Sequence, residues 1–228
     1  MRKFWILVVC CLVSNGFKGG PDYRAELLKI LSKYNDPHYL IRSHLYLQFY
    51  DHYNSNKVID TLKSNIQLQG SNFHYTLRDH EYLKNDKFFI TVNHTERLIF
   101  INAVAIPFPV FRFDSLLSSD EITVTSLGIR SGVIGYKINV EKGPVVSAEL
   151  WFNQSSTVLT NVVLFYNQTN FSDEFQAPRI EVEYKNTTLQ SRNSISNIFS
   201  EKKFFTSTGN TYKMTDAFKN YKLVKSGY

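Results

Sequence analysis

The chain has 228 residues and a formal net charge of +6, and 43% of its residues are hydrophobic. A chain of this length forms one domain with a sizeable core, and its 14 tyrosines and 18 phenylalanines favour strands over helices. Its lysines and arginines are spread along the sequence rather than clustered in the way that follows a phosphate backbone, so no nucleic-acid partner is expected.

The first sixteen residues have the layout of a secretory signal peptide. Arg2 and Lys3 form a basic start, an apolar run covers residues 4–13, and small residues follow up to Gly16. The run is about half as long as the roughly twenty residues that cross a bilayer. We predict cleavage after Gly16, which removes two positive charges and leaves a net charge of +6 − 2 = +4.

Both cysteines, Cys10 and Cys11, lie inside this leader, so the mature protein would contain no thiol and no disulfide. Extracellular animal domains usually carry disulfides, which favours a bacterial periplasmic location. The five Asn-x-Ser/Thr sequons are then chance matches. Two alternatives stay open, a secreted protein and a lipid-anchored one processed at Cys10, because residues 7–10 loosely match a lipoprotein box.

One amphipathic helix is predicted before a series of strands. Asp22 is a candidate N-cap, apolar residues from Leu27 to Leu31 form a helical stripe, and residues 35–37 end the helix. From Tyr39 onwards, apolar side chains recur at every second position, which is typical of a sheet with one solvated face. Hairpin-sized turns separate five successive strands, predicted near residues 39–49, 58–68, 73–77, 88–92 and 98–101.

The alternating pattern is interrupted between residues 103 and 117. Pro107 and Pro109 disfavour a helix interior or a central strand, so a loop or short helix lying over an apolar surface is predicted. A helical turn is predicted at residues 114–121. Further strands are predicted near residues 134–140, 146–152, 158–166, 180–184 and 221–224.

No catalytic or metal-binding motif stands out, and no cofactor is expected. The six histidines are scattered over the first hundred residues and are interpreted as solvated surface. Asp79 and Glu81, which flank His80, are interpreted as surface charge in a turn. A polysaccharide hydrolase that uses Glu149 and Glu181 is the weakest of the functional hypotheses, because it needs both carboxylates in one cleft.

The predicted strands share one continuous apolar face. This face either closes over the helix as an ordinary core or keeps a cavity for acyl chains, and the residues alone leave both outcomes open. The predicted lipid-binding residues are Leu45, Leu47, Phe49, Leu62, Ile66, Leu68, Phe88, Ile90, Phe100, Ile138, Leu150 and Phe152. The predicted lid residues are Leu27, Leu31, Phe108, Val110 and Phe111.

The order of elements resembles the outer-membrane lipoprotein carrier (LolA-like) family, in its divergent Bacteroidetes-type form. The resemblance covers residues 23–185 and is carried by the helix, the strands within 87–101, the proline-bearing insert and the paired strands 147–154 and 157–166. It implies a mainly β (α+β) fold, a curved antiparallel half-barrel with an N-terminal helix and a lid segment on its concave face. The family's arginine on an early strand could correspond to Arg42, whose role is not carried over.

These observations predict a signal peptide (1–16), a LolA-like lipid-binding half-barrel (17–185) and a C-terminal extension (186–228). The predicted function is non-enzymatic, periplasmic binding and transport of lipid or lipoprotein acyl chains in a hydrophobic cavity. A monomer is expected, and this interpretation allows for a partner protein in the inner or outer membrane. The alternative is a secreted β-rich interaction module with a closed core and no ligand.

Overall fold

The computed structural model describes residues 22–102, 121–167, 178–209 and 211–225. The predicted leader and the predicted lid residues Phe108, Val110 and Phe111 lie outside the described residues. The elements in chain order are α1 (Tyr23–Asn35), β1 (Tyr39–Tyr50), β2 (Val58–Gln69), β3 (Asn72–Leu77), β4 (His80–Lys84), β5 (Phe89–Asn93), β6 (Leu98–Asn102), β7 (Ile122–Arg130), β8 (Val133–Val140), β9 (Val145–Asn153), β10 (Leu159–Tyr166), β11 (Arg179–Ser191), β12 (Phe205–Thr208), β13 (Thr211–Met214) and β14 (Lys222–Lys225). Short 3₁₀ helices lie at Asn197–Phe199, Glu201–Lys203 and Asp216–Phe218.

Helix α1 begins and ends where the sequence predicts. The Asp22 carboxylate accepts a hydrogen bond of 3.0 Å from the backbone N–H of Ala25, which satisfies one of the free donors of the first turn. Asp36 adopts an extended conformation as the C-cap, as the following Pro37 requires. Leu27 and Leu31, four residues apart and therefore on one face, are buried.

Twelve strands form one sheet in the order β14-β6-β5-β4-β3-β2-β1-β11-β10-β9-β8-β7. All neighbours are antiparallel except β14, which pairs in parallel with β6. The chain runs outwards from β1 to β6 by hairpins, and β7 to β11 lead back to β1 from the other side. The sheet is curved and unclosed, so the predicted mainly β half-barrel is confirmed for the described residues.

Each face of the sheet carries its own hydrophobic cluster. The inner cluster lies on the concave face and includes Leu27 and Leu31 of α1. The outer cluster lies on the opposite face of β4, β5 and β6 and is covered by the C-terminal segment, residues 192–225. The inner cluster also contains Ile41, Leu45, Phe49, Ile66, Leu68, Phe73, Tyr75, Phe89, Ile122, Tyr136, Ile138, Ala148, Leu150, Phe152, Leu159, Val162, Ile180 and Val182. The outer cluster consists of Leu83, Ile90, Val92, Ile99, Ile101, Phe204, Phe205 and Phe218.

Two strands, β4 and β7, lie where the sequence predicts no strand. β4 occupies His80–Lys84, and only two residues separate it from β3. Its charged Glu81 points to the outer face of the sheet and is buried there. The apolar alternation that would have revealed the strand is therefore absent. β7 (Ile122–Arg130) is an edge strand whose side chains are largely exposed, which removes the same signal.

The C-terminal segment is part of the sheet's packing. The predicted end of the half-barrel at residue 185 falls inside β11, which continues to Ser191 beside β1. The register of this pair shifts between Arg42 and His44. Asn186 lies in the resulting bulge of β11 and has a φ of 53°, a local distortion that a bulged strand accommodates. Farther along, β14 confirms the predicted last strand and joins the sheet next to β6.

Candidate functional site

The concave face brings together nine of the predicted lipid-binding residues. Cross-strand register aligns them in rows: Leu47 lies opposite Leu62 on β2 and opposite Val182 on β11. On the other half, Leu150 lies opposite Tyr136 on β8. These nine residues, which all belong to the inner cluster or pack against it, are Leu45, Leu47, Phe49, Leu62, Ile66, Leu68, Ile138, Leu150 and Phe152.

The shared-face prediction is wrong for Ile90 and Phe88. Side chains alternate between the faces of a strand, and on β5 it is Phe89 that points into the inner cluster, so Ile90 points into the outer one. Phe88 precedes β5 and packs on Phe205 of the C-terminal segment, with ring centroids 5.6 Å apart. Because both faces of β5 are covered, its sequence is apolar at successive positions and its orientation cannot be read from the pattern.

Phe100 lies on the concave side but outside the inner cluster. The register places it opposite Thr91 on β5, which in turn pairs with Tyr82 of the inner face. The side chain is 36% exposed, so the concave face is not sealed at this end among the described residues.

Helix α1 covers the other half of the concave face. Leu27 and Leu31 insert into the inner cluster. At the C-terminal end of the helix, the Tyr34 hydroxyl accepts a hydrogen bond of 2.6 Å from the backbone N–H of Leu159, and Lys33 Nζ donates to Thr157 Oγ1 at 2.7 Å. Burial raises the pKa of Tyr34 to about 12. Of the predicted lid residues, Leu27 and Leu31 therefore lie in the inner cluster.

The inner cluster contains a few polar groups, which are tyrosine hydroxyls. Tyr136 is fully buried and meets Phe152 edge to face, with centroids 6.2 Å apart. Burial raises the pKa of Tyr136, and the Glu26 carboxylate on α1 raises it further. Burial likewise raises the pKa of Tyr184. These hydroxyls stay neutral at physiological pH, so the rings contribute apolar area without adding charge.

A buried carboxylate on the outer face was missed by the sequence interpretation. Glu81 is only 4% exposed and lies between His74 Nε2 at 2.5 Å, His94 Nε2 at 3.3 Å and the Lys203 ammonium. Burial raises the pKa of Glu81, but hydrogen bonds from His74 and Lys203 outweigh it and lower the pKa to about 2. Glu81 is thus an ionised anchor for the C-terminal segment, not surface charge in a turn.

The two acids of the hydrolase hypothesis lie on the outer face. Glu149 and Glu181 both lie opposite Val163, so β10 separates them. Glu181 is engaged with Arg179 at 3.4 Å and with the Tyr50 hydroxyl at 3.2 Å. In the described part of the chain, no group of three or more histidine, cysteine or acidic side chains could hold a metal ion. Within the same residues, no helix has the length and apolar character needed to cross a membrane.

Comparison with known proteins gives matches at the level of structure alone. No family model matches the chain, and neither does any curated protein. Among solved structures, an uncharacterized conserved protein from Thermus thermophilus is 8% identical, with 88% of this chain and 99% of that chain covered and a TM-score of 0.49. A LolA superfamily protein from Nitrosomonas europaea is 10% identical over 77% of this chain and 97% of that one, with a TM-score of 0.35.

The MucA/MucB complex of Pseudomonas aeruginosa is a further structural match, with 9% identity, 84% of this chain and 63% of that chain covered and a TM-score of 0.47. All three TM-scores lie below 0.5.

Proposed function

We propose that this protein is a non-enzymatic, exported carrier that holds an acyl chain of a lipid or lipoprotein against the concave face of its sheet, beneath α1. The observation that carries the proposal is that this apolar face is wide and its cover is small. It is apolar across strands from both halves of the sheet, yet α1 is the single helix that covers it among the described residues.

The part of the concave face that lies beneath α1 suits a hydrocarbon chain better than a polar ligand. Leu47, Leu62 and Leu164 on the concave side are half-buried and pack against the fully buried residues behind them. Each methylene moved from water onto such a surface contributes about 0.8 kcal/mol. A chain of about fourteen carbons would gain about 11 kcal/mol before the cost of association, so it needs no polar contact to bind.

Export and delivery follow from the same hypothesis. The basic, apolar and small-residue regions of residues 1–16 support a signal peptide and a periplasmic location. A carrier has to receive and release its cargo at membranes, so a partner protein in the inner or outer membrane belongs to the proposal. Retention of the leader cysteine as a lipid anchor is its main variant.

A second candidate function, an interaction module with a closed core, is favoured by how completely some inner residues are buried. Leu27, Tyr136, Leu150 and Phe152 are each 0% exposed. For the carrier, a ligand has to displace α1 or enter beside it. For the module, the interior stays closed and the ligand finds no space.

Ligand binding separates these two functions. Natively purified protein is extracted with organic solvent and analysed by mass spectrometry, and delipidated protein is titrated with a fluorescent fatty acid. The carrier is expected to yield bound lipid and to bind the probe saturably. Absence of both would leave the closed module as the better description.

A matched pair of variants on β2 locates the binding surface. Leu62→Glu places a charge on the concave face and should weaken probe binding by about tenfold or more, because an ionised side chain would have to be desolvated. Ile59→Glu, three residues earlier and 46% exposed in the wild type, should bind as the wild type does. Circular dichroism checks that both variants are folded.

A further inference from the structure

The outer face carries a polar groove that neither cluster uses. The groove is open to solvent, has a volume of about 400 Å³ and is lined by residues of β1, β2 and β3 together with the bulge residue of β11. This volume is in the range of small-molecule sites. Two rows of directly paired residues form its floor. The first row is Arg42, Gln67 and His74, and the second is His44, Asn65 and Thr76.

Arg42 is a cation without a counter-ion in this groove. None of the ion pairs between described residues includes it, and its Nε atom is buried without a hydrogen-bond partner. No acidic residue is among the residues that line the groove, and Glu81, which contacts the lining residue His74, is also held by Lys203. A half-buried guanidinium of this kind favours a carboxylate, which matches its planar donors.

Gln67 adds an unused acceptor directly beside this donor. It lies opposite Arg42 in the strand register, and its Oε1 atom is buried without a partner. Because both atoms are buried, a ligand reaches them only when the Arg42 and Gln67 side chains turn towards the groove. It then has to accept hydrogen bonds on one atom and donate one from the next. A carboxylate with a hydroxyl on the adjacent carbon has this arrangement.

The second row extends the same chemistry. Asn65 and Thr76 line the groove. Asn65 Oδ1 is hydrogen-bonded to His44 Nδ1 at 2.5 Å and Asn65 Nδ2 donates to Thr76 Oγ1 at 3.4 Å, which leaves the second amide N–H of Asn65 and the hydroxyl proton of Thr76 for hydroxyl groups of a ligand. We propose that this groove binds a small polyhydroxy carboxylate, a sugar acid, with its carboxylate on Arg42 and its adjacent hydroxyl at Gln67. This site lies on the opposite face from the proposed acyl-chain surface and does not depend on it.

The proposal is tested with D-gluconate on the full chain. Calorimetry measures affinity, and NMR follows the Arg42 Nε–H signal and the amides of Asn65, Gln67 and Thr76. Gluconate should bind and shift these signals, whereas sorbitol, which lacks the carboxylate, and acetate, which lacks the hydroxyls, should bind about 10-fold more weakly or worse.

Variants of two arginines provide the decisive contrast. Arg42→Gln should weaken gluconate binding by about 10- to 100-fold. Arg130→Gln removes the same charge at the far edge of the sheet, where Arg130 stacks on Trp151 at 5.4 Å, and should change the affinity less than about 2-fold. If bound water alone bridges Arg42 and Gln67, gluconate will leave the Arg42 signal unmoved, and that result, or equal affinity in both variants, overturns the proposal. The wild-type NMR shifts decide the matter even where Arg42→Gln does not fold.

Discussion

The inner and outer clusters belong to the same sheet, yet their covers are attached by different means. The C-terminal segment adds β14 to the sheet through backbone pairing with β6, and Lys203 is held by the buried Glu81 carboxylate. Helix α1 makes no strand pairing and relies on two leucines, the Tyr34 hydroxyl and Lys33. The difference teaches that two covers of one sheet need not be equally firm: α1 has no backbone pairing to the sheet, so it is the cover that the proposed carrier would displace.

Among the substitutions that test this comparison, removal of a leucine from α1 should have the largest effect. Leu27→Ala deletes a fully buried side chain and should lower the free energy of unfolding by about 2–5 kcal/mol. Because it loosens α1 and not the C-terminal segment, it should also speed the entry of a fluorescent fatty acid. Urea unfolding and stopped-flow fluorescence measure the two effects.

The matched control for that variant is the next residue of the helix. Leu28 is 37% exposed, so Leu28→Ala should change stability by about 0.5 kcal/mol or less. Equal effects of the two substitutions would contradict the view that one face of α1 holds the cover.

The corresponding test of the outer cover is Glu81→Gln. This change leaves the Lys203 ammonium without its carboxylate, and we expect a loss of about 3 kcal/mol. Glu183→Gln removes a carboxylate from an exposed pair with Lys185 and should cost at most about 1 kcal/mol. Fatty-acid entry should be unchanged in both, since neither residue contacts α1.

Acid should weaken the outer cover in a defined window. The folded pKa of Glu81, about 2, lies below its ordinary value of 4.5, so its contribution is complete above about pH 4.5 and is lost as the pH falls towards 2. The loss amounts to about 3 kcal/mol. Stability measured against pH should therefore fall more steeply for the wild type than for Glu81→Gln between pH 4.5 and 2, and parallel curves would count against an ionised anchor.

The smallest expected effect concerns the polar contact of α1. Tyr34→Phe removes the acceptor for the Leu159 N–H and should cost about 1 kcal/mol. Hydrogen exchange should accelerate at the amides of α1, while the amides of β14 serve as the internal control and keep their protection. Uniform acceleration throughout the sheet would mean that α1 does not open separately.

Local patterns predicted most of the fold where one face of an element is wet. Asp22 and Pro37 mark the ends of α1, and the alternation from Tyr39 onwards predicts β1 with Leu45, Leu47 and Phe49 on one face. Where both faces are covered, as at Ile90, alternation disappears and the orientation of the side chain is lost. The polar partners of Glu81 lie between 7 and 122 residues away in sequence, so no local pattern could identify that buried anchor.

The sequence by itself determined the helix, most of the strands and nine of the apolar residues on the concave face, because side-chain period and turn chemistry act over a few residues. Only the tertiary structure decided that the C-terminal segment covers the opposite face, that β14 joins β6 in parallel, and that Arg42 and Gln67 share a groove. Those outcomes depend on contacts between distant segments, whose energies come from burial and pairing that no single segment contains.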